Sequence, residues 1–393
     1  MESLPAKLDP LIRPVMPELD SVRGIAVSGV LLLHAFYWQY SSFHFSGLPR
    51  LFLLATQPGG LGVNLFFVLS GFLITGILLD SKEKPRYFRR FYIRRALRIL
   101  PAYYLLLILL AVLHSASASF LGLSFVYLAN VTGLFGIPAD YGPLWSLAVE
   151  EHYYIFWPAV IYKLTRRHLA IITVGICLLV PVLRAVFFRL GYTAGLGWYT
   201  WFVADGLATG SLVAILLRTS ASRRMVAVLC GTLLVGGFTF AGAGRPFGIL
   251  TRELMLGAAL QQTVIDMVFA GFLLLVLLLG TSARRRYVNN SVLRFLGYIS
   301  YGLYLIHLLV FRMYDKLCRN FRPSLQPTPG HFGLIVLRFF LAGGAAIGVA
   351  YLSRKYFEER LLRLKDRFAG DKHAELLLVS RAKEEALPQE ASA

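Results

Sequence analysis

Residues 18–36 read ELDSVRGIAVSGVLLLHAF. From Val22 to Tyr40 the sequence is apolar for a length that can cross a bilayer, yet it carries Arg23 and His34. Ionisable groups inside a membrane segment are costly, and their default reading is functional. Eleven residues separate the two, close to three helical turns. One helix would therefore project both from the same face, about 16 Å apart along its axis.

The same test applied outward finds ten apolar runs, near 22–40, 61–79, 97–113, 145–163, 169–188, 198–217, 225–241, 262–280, 296–314 and 332–353. An eleventh stretch, 119–137, is broken by Gly122, Gly133, Gly136 and Pro138 and reads as re-entrant or interfacial. The composition agrees: 57% of the 393 residues are hydrophobic, mean hydropathy is +0.63, and only 16% are charged, against roughly 25% in soluble domains. A disordered protein is excluded and a soluble enzyme disfavoured. The expected fold is all-α, a polytopic transmembrane bundle of about ten spans.

The net charge of +19 would suggest nucleic acid in a soluble protein. Its distribution says otherwise. With the N-terminus cytoplasmic, 30 of the 40 basic residues fall on the cytoplasmic side, 7 outside, and Arg184, Arg312 and Arg338 within spans. That is the positive-inside bias, and it places both termini in the cytoplasm. Counting 119–137 as a span would put Arg284, Arg285 and Arg286 outside. The expected organisation is a short N-terminal segment (1–17), a membrane domain (18–366) and a polar, disordered cytoplasmic tail (367–393). No cleavable signal is visible before residue 18.

Several polar groups could carry chemistry. Arg23 sits at the cytoplasmic end of the first span, where a guanidinium could hold phosphate or snorkel to headgroups. His34 lies deeper, where a neutral imidazole could take a proton from a hydroxyl. Arg95 and Arg98, at i and i+3, share a helix face suited to diphosphate oxygens, although the cluster also anchors topology. Glu150 and Glu151 open the fourth span, and there a carboxylate must be paired or solvated. Asp205, Asp266 and His307 are isolated, and each reads more readily as a cross-helix hydrogen bond than as a catalytic group. Ser70 misses the G-x-S-x-G elbow because position 68 is Val, so it reads as a small packing residue beside Gly71. Neither H-E-x-x-H nor a clustered Cys/His pair supports a metal.

Five segments in order resemble the acyltransferase 3 family, integral membrane proteins that O-acylate bacterial surface sugars. They are ELDSVRGIAVSGVLLLHAF, GGLGVNLFFVLSGFLITGILL (59–79), FYIRRALRILPAYY (91–104), PLWSLAVEEHYYIFWP (143–158) and LGYISYGLYLIH (296–307). The family's Arg-x10-His motif falls on Arg23 and His34, its basic element on Arg95 and Arg98, and its glutamate motif on Glu150 and Glu151. Asp20, Ser70, Ser146, Tyr301, Tyr304 and His307 lie in the matching segments. The sequence departs from the family at three places: no Arg shortly precedes Asp205, Glu358-Glu359-Arg360 lacks the usual proline, and His152 replaces Gln.

The resemblance implies a multi-pass protein of the bacterial inner membrane without a resident metal. The donor would be cytoplasmic acyl-CoA, foremost acetyl-CoA, held by Arg23, Arg95 and Arg98. The acceptor would be a surface or lipid-linked glycan, with membrane lipid as the other partner and no nucleic acid. His34 would be general base or acyl relay, and Glu150 would orient His34 or the acceptor. Many relatives carry an additional C-terminal esterase-like domain, which is not expected here. The alternative reading is a transporter or flippase for an anionic or glycosylated lipid. It does not account for the basic cluster lying beside the Arg-His helix.

Overall fold

The computed structural model describes residues 11–219 and 221–363, and these contain helices and no strand. In chain order the helices are α1 (Pro17–Tyr40), α2 (Gly47–Thr56), α3 (Gly62–Ser81), α4 (Tyr87–Val112), α5 (Ala118–Phe125), α6 (Leu144–Lys163) and α7 (Arg166–Arg189). They continue with α8 (Thr200–Leu216), α9 (Arg223–Gly244), α10 (Met255–Gly280), α11 (Ser291–Tyr298), α12 (Ser300–Phe321) and α13 (Phe332–Arg363). Side-chain caps begin several of them. The hydroxyls of Thr165 and Ser222 accept from the amides of His168 and Met225, and Asn290 accepts from that of Leu293. Each satisfies a backbone donor that the first turn leaves free.

All ten expected apolar stretches are helical, but they are not equivalent. Seven helices among the described residues are long and apolar enough to cross a membrane, or eight if α11 and α12, bent by 75°, form one span. The other two stretches are α8, which has only 17 residues, and α6, which carries the glutamate pair. Stretch 119–137 forms no continuous helix; it holds α5 and a 3₁₀ turn at Thr132–Phe135. The tail at 367–393 and most of segment 1–17 lie outside the described residues.

Small residues set the positions of α1 and α3. A Cβ on Gly297 would stand 1.8 Å from the Asp20 carbonyl oxygen, and one on Gly24 2.0 Å from that of Leu293, so α1 and α11 cross backbone to backbone. Gly71 and Gly210 do the same for α3 and α8, at 2.0 and 1.9 Å from the carbonyls of Leu207 and Val68. Between lipid-like surfaces, close packing of this kind replaces the hydrophobic drive that soluble helices use. On α3 the close backbone approach thus falls on Gly71, the neighbour of Ser70.

The isolated intramembrane charges are paired across helices. Arg184 of α7 donates to Asp205 of α8 at 2.5 Å and to Thr263 of α10 at 2.6 Å, and Thr263 donates to Asp205 at 2.7 Å. Asn64 of α3 donates to Asp266 of α10 at 2.9 Å. Arg338 of α13 grips Asp315 of α12 through two nitrogens, at 2.6 and 2.8 Å. The sequence reading of Asp205 and Asp266 as cross-helix partners holds, and the arginine missing just before Asp205 is supplied by α7.

Candidate active site

Two of the cavities among the described residues hold the candidate groups. The smaller, about 150 Å³, is lined by Arg23 of α1, Ser70 of α3, Arg95 and Arg98 of α4, Ser146, Glu150, Glu151 and Tyr154 of α6, and Ser300, Tyr301 and Tyr304 of α12. Five helices converge there. The phasing of Arg95 and Arg98 puts both on the cavity face, half-buried. Arg95 lies over the rings of Tyr154 and Phe91, at 5.0 and 5.8 Å. Arg23 is bridged to Asp20 one turn earlier on the same helix. Asp20 does not line the cavity.

Glu150 is tied down by its surroundings. The Ser70 hydroxyl donates to one carboxylate oxygen at 2.9 Å and the Tyr154 hydroxyl to the other at 3.1 Å. This corrects the reading of Ser70 as a packing residue only, since its hydroxyl orients the glutamate. Ser146 and Tyr304 share a 2.5 Å hydroxyl–hydroxyl bond, and Tyr301 donates to the Ile99 carbonyl at 2.8 Å.

The larger cavity, about 1140 Å³, is lined by His34, Tyr37 and Trp38 of α1, by Trp145 and Trp198, by the amides of Gln39, Gln57, Asn64, Asn130, Gln261 and Gln262, and by a cationic group that includes Arg252, Arg312, Lys316 and Arg319. His34 sits in a widened π-helical turn, Leu33–Tyr37; such turns recur at functional sites. Val63 and Tyr304 line both cavities. Along α1, Arg23 faces the smaller cavity and His34 the larger, as the eleven-residue spacing allows.

His34 and His307 face each other, ring centroids 5.0 Å apart. His34 Nδ1 lies 2.9 Å from the Val30 carbonyl oxygen and 3.3 Å from His307 Nε2. His307 Nδ1 lies 3.0 and 2.9 Å from the carbonyl oxygens of Leu303 and Tyr304. The resemblance had given Glu150 a possible part in orienting His34. In the structure Glu150 lines the other cavity, and the side chain that meets His34 is His307. The isolated histidine of the sequence is thus joined to the first span.

Of the sequence candidates, Arg23, Ser70, Arg95, Arg98, Ser146, Glu150, Glu151, Tyr301 and Tyr304 meet at the smaller cavity. His34 lines the larger one with His307 behind it. Sequence reasoning missed Tyr154, although it stands one turn after Glu150, where an i, i+4 partner is to be expected. It also missed the tryptophans and amides of the larger cavity, which come from distant segments and carry no shared spacing.

A helical membrane protein with a basic, carboxylate-bearing cavity abutting a histidine-bearing one has the parts for group transfer. Residues 16–354 match the family described as an acyltransferase domain, and the chain belongs to that family. It is similar to "Peptidoglycan O-acetyltransferase OatA" of Listeria monocytogenes, 28% identical over 354 residues, covering 80% of this chain and 52% of the relative. It also resembles "Putative peptidoglycan O-acetyltransferase YrhL" of Bacillus subtilis, at 29% over 331 residues, with 74% and 48% covered. A third relative is "Putative O-acetyltransferase SAS0844" of Staphylococcus aureus, at 33% over 169 residues, with 38% and 25% covered. The chain spans about half the length of the first two relatives. No solved structure matches it.

Proposed function

We propose that this protein is a membrane O-acetyltransferase that moves an acetyl group from cytoplasmic acetyl-CoA to a glycan hydroxyl on the far side of the bilayer. The acceptor in this reading is peptidoglycan, as the names of two relatives suggest. The observation that carries the reading is the contact of the two cavities at Val63 and Tyr304. One holds Arg23, Arg95 and Arg98 beside the glutamates, and the other holds His34. By the charge bias of the loops the arginine end is cytoplasmic, where acyl-CoA is found. Residues 18–366 form the acyltransferase domain, in the bacterial inner membrane.

Arg23, Arg95 and Arg98 hold donor phosphates, for which planar guanidinium groups are suited. Glu150, fixed by Ser70 and Tyr154, shapes the donor end beside Glu151. In the larger cavity, tryptophan faces and side-chain amides suit the apolar ring faces and hydroxyls of a sugar. The acceptor hydroxyl gives its proton to His34 and its oxygen bonds to the thioester carbonyl carbon. The C–S bond then breaks, and the CoA sulfur leaves with that proton. A transient acyl-imidazole on His34 would divide the same transfer into two steps. Acyl transfer is favoured over lipid transport because His34, a group able to take a hydroxyl proton, lines the cavity next to the one that holds Arg23, Arg95 and Arg98.

The test is acetyl transfer from labelled acetyl-CoA to peptidoglycan strands in proteoliposomes. Wild type is expected to label the glycan, and His34→Ala to lose about 10²- to 10⁴-fold in rate, the usual contribution of a general base. Absence of glycan labelling by well-folded wild type overturns the reading. Full activity in His34→Ala removes the histidine from the chemistry.

A further inference from the structure

We infer that His307 is a positioning residue, which accepts the His34 Nδ1 proton and so leaves His34 Nε2 as the basic nitrogen facing the acceptor. This rests on the transferase reading for the meaning of the base. The proton placement itself rests on geometry alone.

A carbonyl oxygen can only accept. His307 Nδ1 stands within hydrogen-bond distance of two of them, Leu303 and Tyr304, so it must carry its hydrogen. A neutral His307 then has a bare lone pair on Nε2. That lone pair points at His34 Nδ1, 3.3 Å away. His34 Nδ1 in turn lies 2.9 Å from the Val30 carbonyl, so it too must be the N–H. One hydrogen is forked between the Val30 oxygen and His307 Nε2. The remaining nitrogen, His34 Nε2, has no hydrogen-bond partner among the described residues, and His34 lines the larger cavity.

The backbone of α12 therefore fixes the tautomer of His307, and His307 with Val30 fixes that of His34. This is the job a carboxylate does in a catalytic triad, carried out here by a neutral ring that is 1% exposed. A neutral partner suits the place, because an unpaired carboxylate at that depth would be costly. It also relieves His307 of any need to touch substrate. As proton acceptor for Nδ1, it steadies the positive charge that His34 gains when the acceptor hydroxyl is deprotonated.

Two substitutions separate this role from packing. His307→Gln keeps an acceptor near the position of Nε2, while His307→Asn keeps only the reach of Nδ1 to the carbonyls. We expect His307→Phe and His307→Asn to lower kcat at least roughly tenfold, since a wrongly held tautomer is a large defect in such relays. KM for acetyl-CoA should stay unchanged, and His307→Gln should recover most of the rate.

Nitrogen NMR of the ¹⁵N-histidine-labelled full-length protein in lipid, with His34 assigned through His34→Gln, reads the tautomer without activity. Wild type should show a protonated Nδ1 and a bare Nε2, and His307→Phe should populate the Nε2–H form. A wild-type His34 protonated on Nε2 overturns the inference. So does equal loss of kcat in the Gln and Asn variants with the His34 tautomer unchanged, which would reduce His307 to packing. An inactive wild type with the expected tautomer would instead overturn the transferase reading and leave the histidine pair standing.

Discussion

The arginines of this bundle fall into two kinds. Arg184 is 1% exposed and locked to Asp205 and Thr263 across three helices. Arg95 and Arg98 are half-buried, face a cavity, and among the described residues have no carboxylate within ion-pair distance. In a membrane protein both kinds are equally conspicuous in the sequence, and only their partners tell them apart. A closed pair has its charge neutralised within the fold. An open pair of like charges, held on one face by the i, i+3 spacing, shares its cavity with Glu150 and Glu151 without a direct ion pair, which leaves room for an anionic ligand. The difference separates a residue that holds helices together from one that, in the proposed function, binds a ligand.

The strongest way to break this contrast is to truncate the closed pair. Arg184→Ala leaves Asp205 buried without its cation, and removing one partner of a buried pair costs about 3–5 kcal/mol. The variant is expected to unfold in detergent well below wild type, followed by thermal scanning or by loss of the monodisperse peak. Replacing both partners, Arg184→Met with Asp205→Leu, should restore much of the stability. A stable Arg184→Ala would mean that the pair is not structural and would dissolve the distinction.

The open pair should behave in the opposite way. Arg95→Ala with Arg98→Ala is expected to leave thermal stability near wild type and to weaken the donor. Charge-assisted hydrogen bonds are worth about 1.5–3 kcal/mol each. KM for acetyl-CoA should therefore rise at least roughly tenfold at equal protein level. If stability collapses while acetyl-CoA affinity holds, these arginines belong with Arg184.

How much of this could be read from the sequence follows the same division. Length and hydropathy locate the helices, because a run such as 262–280 has no other home than an apolar solvent. Motif spacing brings out part of the smaller cavity, since Arg95 and Arg98 are neighbours on one helix; Tyr154, one turn after Glu150, was open to the same argument and was missed. What the sequence withholds is contact between segments far apart in the chain. Arg184 and Asp205 are 21 residues apart, and His34 and His307 are 273 apart. No periodicity links them. The same holds for α6, whose glutamates help keep it out of the set of strongly apolar helices to which the next helix, α7, belongs. A charged helix is tolerated there because Ser70 and Tyr154 hydrogen-bond Glu150 and the arginines line the same cavity as both acids.

Ser70 sharpens the contrast at its finest scale, since it lies in the open cavity but serves a neighbour. Its hydroxyl is one of two donors on Glu150, and Tyr154 supplies the other. Ser70→Ala should remove one hydrogen bond worth about 1 kcal/mol, roughly a fivefold fall in kcat/KM. The remaining tyrosine would still hold the carboxylate in place, so labelling of the glycan should persist and stability should hardly move. The measurement has force because a nucleophile behaves differently: if the acetyl group passed through the Ser70 oxygen, alanine would abolish transfer altogether. A loss in Ser70→Ala as large as that in His34→Ala would move the covalent chemistry into the arginine cavity. A modest, partial loss would leave the hydroxyl where its geometry puts it, aligning a glutamate beside the donor.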